Sequence, residues 1–185
     1  MDITPHNFIG IYDDVLLEKE CEIIIDHFNK EPDKSLGSDN DAKKVGATKS
    51  YNLNDPLHEY INKFTRKCVE KCFPKYKGNY PWLATGGPWW TIDEWYNIQK
   101  FGEGEGYFTP HAEAESENSF QRMLVWMVYL NNAKSGTEFI YYNKIVTPVV
   151  GRMVIWPAGW THTHKGVVPN EGDKYIMTGW AEYRD

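Results

Sequence analysis

The hydrophobic pattern of this chain changes from a helical period to a strand period near residue 91, and this change constrains the fold more than any other feature. Before it, apolar residues recur every three or four positions over 16–30 and 55–73, which predicts two amphipathic helices, the second ending before Pro74. After it, short β-rich runs alternate with turn residues. The predicted strands are Thr91–Phe101, Gln121–Asn131, Glu138–Tyr142, Lys144–Thr147, Met153–Trp156, Thr161–His164 and Lys174–Tyr183. Two helices followed by six to eight strands favour a mainly β fold, a double-stranded β-helix (jelly roll, cupin-like) with helices flanking one side.

The length of the chain limits the number of domains. At 185 residues it can bury one sizeable core but is too short for two ordinary domains. We therefore expect a single domain over 1–185, with helical support over about 1–75 and a β core over about 91–183.

Two intervals have the composition of loops. The interval 31–50 is rich in Asp, Lys, Ser and Gly, and it is expected to be a long loop, either a lid over an active site or a plain flexible insert. The interval 76–90, rich in Gly, Pro and aromatic residues, predicts a connecting loop. Within it, Trp89 and Trp90 are candidates for substrate contact, with ordinary packing as the alternative.

Charge and hydropathy exclude some classes of partner. A net charge of −6 argues against nucleic-acid binding, because phosphate contacts need a basic face. No run approaches eighteen consecutive apolar residues, and the first six residues do not form a secretion signal, so we expect a soluble, cytoplasmic protein without membrane contact. The oligomeric state cannot be predicted from these features.

Several cysteines and histidines are expected to have no role in metal binding. Cys21, Cys68 and Cys72 fall in the helical stretches, and their odd number favours free, half-buried thiols in a reducing compartment. His27 is expected on the surface or rim of the first helix, and His58 near the start of the second is expected not to bind a metal.

A histidine and a carboxylate one residue apart, His111 and Glu113, are followed about fifty residues later by His164. Two imidazoles and one carboxylate can occupy one side of a metal ion and leave other positions open, which is the ligand set of non-heme Fe(II) oxygenases. His162, two residues from His164, is the competing candidate because both side chains would lie on the same face of a strand.

Lys174 strengthens this interpretation. It begins an alternating run in which Lys174, Ile176, Thr178 and Trp180 share one strand face. A lysine among apolar neighbours must pair its ammonium with an anion, because an unpaired buried charge is costly. A carboxylate-bearing ligand would be such an anion.

The chain resembles the 2-oxoglutarate- and Fe(II)-dependent dioxygenases, specifically the prolyl 4-hydroxylase-like branch. The resemblance covers roughly 91–183, and the family usually has Asp where this chain has Glu113. The motifs that carry it are Gln99–Tyr107 with Phe108–Glu113, Arg122–Asn131, Gly136–Phe139 with Pro148–Pro157, and His164–Gly166 with Lys174 ten residues after His164.

The resemblance implies a set of roles. His111, Glu113 and His164 would bind Fe(II), and 2-oxoglutarate would chelate the metal and leave one position for O2. Lys174 and the Tyr129 hydroxyl would hold the far carboxylate of 2-oxoglutarate. The remaining roles concern the cavity wall: Thr178 would add a hydroxyl to the co-substrate site, Ile176 would help to exclude water, and Arg122 and Trp180 would lie on the substrate side. The resemblance also allows ascorbate as an additional cofactor. His162 would then lie next to the metal ligands or at the rim.

The resemblance implies hydroxylation of an unactivated C–H bond, with a prolyl residue in a peptide or protein as the expected substrate. Tyr141 and Tyr142, like the tryptophan pair, could offer flat surfaces to a pyrrolidine ring. A free amino acid is an alternative substrate. The alternative function from another class is a metal-bearing jelly-roll module that binds a sugar or small acid without oxidation. Such a module would have no use for Lys174 and Tyr129 as a carboxylate clamp.

Overall fold

The computed structural model of the protein describes residues 7–36, 44–85 and 89–184. Three α-helices lie in the first half: α1 (Glu18–Lys30), α2 (Glu59–Asn79) and the short α3 (Trp82–Thr85). A 3-10 turn at Pro56–His58 leads directly into α2. The two predicted long helices are thus confirmed, with altered bounds.

The described residues also form twelve strands. They are β1 (Gly10–Tyr12), β2 (Ser35–Leu36), β3 (Lys44–Val45), β4 (Ala47–Asn52), β5 (Trp90–Phe101), β6 (Gly106–Tyr107), β7 (Arg122–Tyr129), β8 (Gly136–Phe139), β9 (Lys144–Val146), β10 (Met153–Pro157), β11 (His164–Val167) and β12 (Lys174–Tyr183). A major sheet has the order β1-β10-β7-β12-β5-β4-β2, a minor sheet has the order β11-β8-β9, and β3 pairs with β6. The predicted mainly β jelly roll with flanking helices is confirmed.

The core has two layers, one on each face of the major sheet. The first joins the sheet to the helices and includes Tyr96, Trp126 and Met177. The second lies between the two sheets and includes Val125, Phe139 and Trp156. Because side chains alternate along a strand, each central strand contributes to both layers.

Strand β12 shows this alternation clearly. Tyr175 and Met177 pack on the helical side, whereas Lys174, Ile176 and Thr178 line a cavity between the sheets. The shared face predicted from the sequence is therefore present in the fold.

The second helix does not end before Pro74, contrary to the prediction. Proline removes one helical hydrogen bond and crowds the preceding turn, yet α2 continues to Asn79. Phe73 and Tyr76, on either side of the proline, are both buried, and the Tyr76 hydroxyl donates to the Phe8 carbonyl at 2.7 Å. These tertiary contacts outweigh the local cost. The predicted connecting loop over 76–90 is accordingly replaced in part by the end of α2 and by α3.

The predicted loop over 31–50 is wrong where β2, β3 and β4 lie, whereas residues 31–34 are irregular as predicted. Strand β4 pairs with β5 over six residues and buries Tyr51, which stacks on Tyr96 with ring centroids 5.5 Å apart. Most of the other side chains of β4 are polar and only partly buried, and this composition concealed the strand. The middle of the proposed lid, 37–43, lies outside the described residues, as does the N-terminal run 1–6.

The predicted strand Thr161–His164 is mostly a 3-10 turn over Trp160–His162, and β11 starts only at His164. The Thr163 hydroxyl donates to the Trp160 carbonyl at 2.7 Å, a local side-chain bond that competes with strand pairing. A second 3-10 turn, Ile140–Tyr142, replaces the end of the predicted strand Glu138–Tyr142.

Cys21, Cys68 and Cys72 are free, as predicted, and are fully buried rather than half-buried. His27, predicted at the surface, is buried too, with 9% of its area exposed. Within the described ranges, no helix combines the length and apolar character needed to cross a membrane.

Candidate active site

The two histidines of the predicted metal site face each other across a single antiparallel bridge. The His111 amide donates to the His164 carbonyl at 2.9 Å, and the His164 amide donates to the His111 carbonyl at the same distance. Their ring centroids lie 4.4 Å apart. The ring of Tyr107, from β6, stacks on His111 with a centroid separation of 3.8 Å. The fold therefore fixes both imidazoles through their own backbone.

Both imidazoles are oriented by main-chain carbonyls. Nδ1 of His111 lies 3.0 Å from the Thr109 carbonyl, and Nδ1 of His164 lies 2.9 Å from the His162 carbonyl. Because a carbonyl only accepts, each Nδ1 must carry the proton and donate. In the neutral form of each ring, Nε2 then carries the free lone pair that a metal ligand requires.

Glu113 completes the group. Its Oε1 lies 3.8 Å from Nε2 of His111 and 3.5 Å from Nε2 of His164. Its amide donates to the Ala158 carbonyl at 3.0 Å, which anchors the backbone beside β10. Burial opposes ionisation of the carboxyl, but the hydrogen bonds and charges of the two imidazoles outweigh it and hold the pKa of Glu113 well below its usual range. Glu113 is thus a carboxylate.

The other oxygen of Glu113 is held by donors from the sheet. Oε2 accepts from the Trp180 indole at 3.0 Å and from Nη1 of Arg122 at 3.4 Å. The Arg122 guanidinium lies over the Trp180 ring, 3.8 Å from its centroid. These contacts brace the longer glutamate side chain and leave Oε1 directed at the histidines.

The donor set fits a transition metal. One ligand atom from each of His111, Glu113 and His164 lies within 4.8 Å of the others. Two imidazoles in this neutral form and one carboxylate lie on one side of the position that a metal would occupy, and a cavity lies on the other side. This arrangement suits a non-heme Fe(II) ion. His162 lies outside this group, since its Nε2 bonds to the Asn7 carbonyl at 2.8 Å and its Nδ1 to the Thr161 hydroxyl at 3.0 Å.

A cavity of about 410 Å³ opens beside the three side chains. Strands β5 and β12 form one wall, and the segment between His111 and β7 forms another. Its lining includes Asn97, Gln99, Phe101, Tyr107, Glu115, Ser116, Asn118, Ser119, Arg122, Met127, Thr137, Trp156, Gly166, Lys174, Ile176, Thr178 and Trp180. The cavity is large enough for a small dicarboxylic acid beside a metal.

Lys174 carries a charge on this wall that no described carboxylate neutralises. Its side chain is buried, with 3% exposed, and Nζ has one long contact to the Gly136 carbonyl at 3.5 Å and lies 5.0 Å from the Phe101 ring centroid. Burial lowers the pKa of Lys174 from 10.5 to about 8. A Cβ at Gly166 would stand 3.7 Å from Nζ, so the glycine keeps space open beside the ammonium.

Tyr129 is less directly placed than the sequence suggested. It is fully buried on the same face as Ile176, but its hydroxyl donates to the Thr137 hydroxyl at 2.8 Å, with the Val146 carbonyl as a second acceptor of the same hydrogen at 3.0 Å. Thr137, not Tyr129, lines the cavity. A contact of Tyr129 with a ligand therefore stays a prediction, and Thr137 is the better placed hydroxyl.

Thr178 lines the cavity, but its hydroxyl hydrogen is already used. The hydroxyl donates to the Trp126 carbonyl at 3.0 Å. It can still accept a hydrogen bond, yet it cannot donate to a carboxylate while this bond is kept.

Sequence reasoning missed several polar residues of the cavity. Asn97 and Gln99 alternate along β5 with the buried Tyr96 and Ile98, so the strand period could have placed them on the cavity face. Thr137 gave no signal in the sequence. The Trp156 indole, whose ring centroid lies 5.2 Å from that of His164, has a buried N–H that forms no hydrogen bond within the described part of the chain.

Comparison with known proteins gave one match to a family model. Residues 96–182 match the model of the 2OG-Fe(II) oxygenase superfamily, and this segment contains every residue of the site just described. No curated protein matched the sequence.

Solved structures with the same fold were also found. A viral collagen prolyl hydroxylase from Paramecium bursaria Chlorella virus-1, in complex with 2OG, aligns with a TM-score of 0.72 at 14% identity, covering 99% of this chain and 100% of the other. A prolyl-4-hydroxylase from Pseudomonas putida gives 0.66 at 12%, covering 97% and 95%. A prolyl hydroxylase from Trichoplax adhaerens, bound to a peptide of hypoxia inducible factor, gives 0.74 at 17%, covering 96% and 84%.

Proposed function

Because the chain belongs to the 2OG-Fe(II) oxygenase superfamily through residues 96–182, we propose that it hydroxylates a prolyl residue of a peptide or protein, with His111, Glu113 and His164 as the iron ligands. The chemistry that bound Fe(II) supplies is oxidative decarboxylation of 2-oxoglutarate by O2 to succinate and CO2, coupled to hydroxylation of an unactivated C–H bond.

The observation that carries the proposal is the buried ammonium of Lys174. A buried charge without a counter-ion is expensive, so its presence on a cavity wall calls for an anionic ligand. In this site the ligand is the far carboxylate of 2-oxoglutarate, which accepts from Lys174 and from the Thr137 hydroxyl, while Tyr129 orients Thr137. A non-catalytic module for a neutral sugar would gain nothing from this charge, and a module for a small acid is separated from the oxygenase by turnover of 2-oxoglutarate.

The three ligand side chains are arranged before any metal binds. The carbonyls of Thr109 and His162 accept from Nδ1 and so leave Nε2 as the metal-binding nitrogen of each ring. Trp180 and Arg122 hold one oxygen of Glu113 and so direct the other towards the histidines. Such partners of the ligands fix their orientation and raise metal affinity.

Arg122 and Trp180 thus act first as positioning residues for Glu113, and they also line the cavity on the side where a substrate would enter. Ile176 and Met127 provide apolar wall, which excludes water from the reacting centre.

Two features support a peptide as the substrate. The neighbour from Trichoplax adhaerens binds a peptide on the same fold, and this chain exposes an aromatic pair, Tyr141 and Trp160, at 65% and 72%, with ring centroids 6.5 Å apart. Exposed aromatic rings are suited to proline-rich segments. Of the other predicted aromatic contacts, Trp89 is 85% exposed, whereas Trp90 packs against Phe73 and is less suited to bind substrate.

The test is turnover of 2-oxoglutarate by the iron-loaded protein with proline-rich peptides and with matched peptides in which each Pro is replaced by Ala. We expect succinate in a proline-dependent amount, and one added oxygen atom on a prolyl residue by mass spectrometry. Stimulation by free proline and not by peptides would overturn the peptide assignment. A protein that holds iron but neither binds nor consumes 2-oxoglutarate would overturn the co-substrate site.

A further inference from the structure

A second group of metal-binding side chains lies outside the candidate active site. It consists of His27 and Glu31, at the end of α1, and His58, in the 3-10 turn before α2. One ligand atom of each residue lies within 4.8 Å of the others. Residues four apart on a helix lie on the same face, so His27 and Glu31 can reach one ion together.

The major sheet separates this group from the cavity. Tyr51 of β4 packs edge-on against His58, with ring centroids 5.1 Å apart, and stacks on Tyr96 of β5. Tyr96 belongs to the core on the helical side, whereas its neighbour Asn97 lines the cavity. The group therefore lies on the helical face, and nothing in the proposed hydroxylation uses it.

An unpartnered buried atom points to a ligand at this place. His27 is 91% buried, and its Nε2 forms no hydrogen bond with any described residue. The carboxylate of Glu31 stands 3.4 Å from this nitrogen, but not in the alignment that a hydrogen bond needs. Buried polar atoms are almost always satisfied, so this exception calls for an explanation. A bound cation would satisfy Nε2 and Glu31 together.

The other nitrogen of each imidazole is already held. The Tyr60 hydroxyl hydrogen-bonds to Nδ1 of His27, and the Asp55 carboxylate lies 3.1 Å from Nδ1 of His58. In metal sites the imidazole that binds the ion typically donates its other N–H to such a partner, often a carboxylate. Both rings are thus oriented with Nε2 towards Glu31, which lies 4.0 Å from Nε2 of His58.

We propose that His27, Glu31 and His58 form a second metal site, which takes a zinc ion with water as the fourth ligand. Tetrahedral ligands about 2.0–2.1 Å from zinc lie roughly 3.3–3.5 Å from one another. The separation of His27 from Glu31 meets this value already, and His58 needs to approach Glu31 by about half an ångström.

Lys49 is the neighbouring cation, and its position is compatible with the site. Its Nζ lies 3.3 Å from Oε2 of Glu31, so Oε1 stays available to the metal. The lysine charge nevertheless repels a divalent ion, and Lys49→Met is expected to tighten zinc binding. The ion would tie the end of α1 to the turn that begins α2, and thereby raise the melting temperature.

The experiment uses the full chain with the active site disabled by His111→Ala and His164→Ala, stripped with a chelator and dialysed against Zn²⁺. We expect one zinc per chain and a higher melting temperature with zinc. Adding His58→Ala or Glu31→Gln should abolish both effects. Asp55→Asn, which keeps the side-chain oxygen that accepts from the Leu57 amide, should weaken binding about 10- to 100-fold.

Glu22→Gln is the matched control, since Glu22 lies exposed on the same helix and pairs only with Lys19 among the described residues. It should leave zinc binding unchanged. Far-UV circular dichroism without metal checks that each variant is folded. The proposal is overturned if the folded double variant binds no zinc, or if Glu31→Gln and His58→Ala bind it as tightly as Glu22→Gln. Neither result depends on hydroxylation.

Discussion

His111 and His164, fifty-three residues apart in the chain, exchange both of their backbone hydrogen bonds at 2.9 Å. The pair joins the segment after β6 to the start of β11, so the two imidazoles cannot move independently. Glu113 is attached to the same place by its bond to Ala158. The proposed metal site is therefore built on main-chain pairing, and the side chains need little rearrangement to bind an ion.

Exchanging His164 and His162 for alanine should have different effects. His164→Ala is expected to abolish stoichiometric Fe(II) binding, because it removes one of three ligands. His162→Ala should keep iron, but it leaves the Asn7 carbonyl unpaired and should cost about 1–3 kcal/mol of stability. Iron content after gel filtration and denaturant unfolding measure the two effects. Retention of iron by the folded His164 variant would transfer the ligand role to another residue.

Lys174→Met should weaken 2-oxoglutarate binding without removing iron. Losing one partner of a buried charge pair costs about 2–5 kcal/mol, or at least roughly 30-fold in affinity. The measurement is Kd for 2-oxoglutarate with the iron-loaded protein. Lys134→Met, at an exposed ion pair with Glu171, is the control and should change nothing. An unchanged Kd in Lys174→Met would place the far carboxylate elsewhere.

The pKa of Lys174 predicts how stability depends on pH. In the ligand-free protein it lies near 8, against 10.5 for an ordinary lysine. The unfolded chain therefore binds more protons between these values, and stability attributable to Lys174 should rise as pH increases from about 8 to 10.5. Below pH 8 the full penalty of about 3 kcal/mol applies. The free energy of unfolding is measured against pH, without ligand, for the wild-type protein and for Lys174→Met, and the difference between the two curves isolates this effect. Parallel curves for the two proteins would contradict it.

Trp180→Phe tests the brace on Glu113. The substitution keeps an aromatic ring beneath Arg122 but removes the indole donor to Oε2. We expect Fe(II) affinity to fall about 10- to 100-fold with a modest change in stability. Trp90→Phe, which removes a comparable indole bond to the Leu83 carbonyl on the helical side, should leave iron affinity intact. If Trp180→Phe binds Fe(II) as tightly as Trp90→Phe, the hydrogen bond from Trp180 to Glu113 is not needed for iron binding.

The sequence allowed prediction of those parts of the fold that depend on local period. The alternation along Lys174–Tyr183 placed Lys174, Ile176 and Thr178 on one face, and the structure has that strand with the same bounds. The double-stranded β-helix followed from the order of helical and strand patterns. Prediction was wrong where tertiary contacts override local preference, as at Pro74, and where a strand carries mostly polar side chains, as at β4.

The details of the site depend on contacts that no local pattern encodes. The bond from Trp180 to Glu113 joins residues 67 positions apart, and the roles of Thr137 and Tyr129 depend on how β7 and β8 face each other. His27 and His58 could not be grouped from sequence, because the end of a helix and a 3-10 turn bring them together. The helical pattern also did not indicate that His27 is buried, and without this fact the sequence offered no reason to consider His27 as a metal ligand.

Strand β12 carries the proposed co-substrate contacts on one face, and side chains on its other face contact both long helices. The Tyr175 hydroxyl donates to Asn29 of α1 at 3.2 Å, and the Thr65 hydroxyl of α2 lies 3.1 Å from the sulfur of Met177. A substitution that shifts either helix would therefore also displace β12, and with it the ammonium of Lys174 on the opposite face of the same strand. Catalytic defects should therefore arise from changes in the helical layer that touch neither iron nor substrate, and a search for such distant modulators should start at these two bonds.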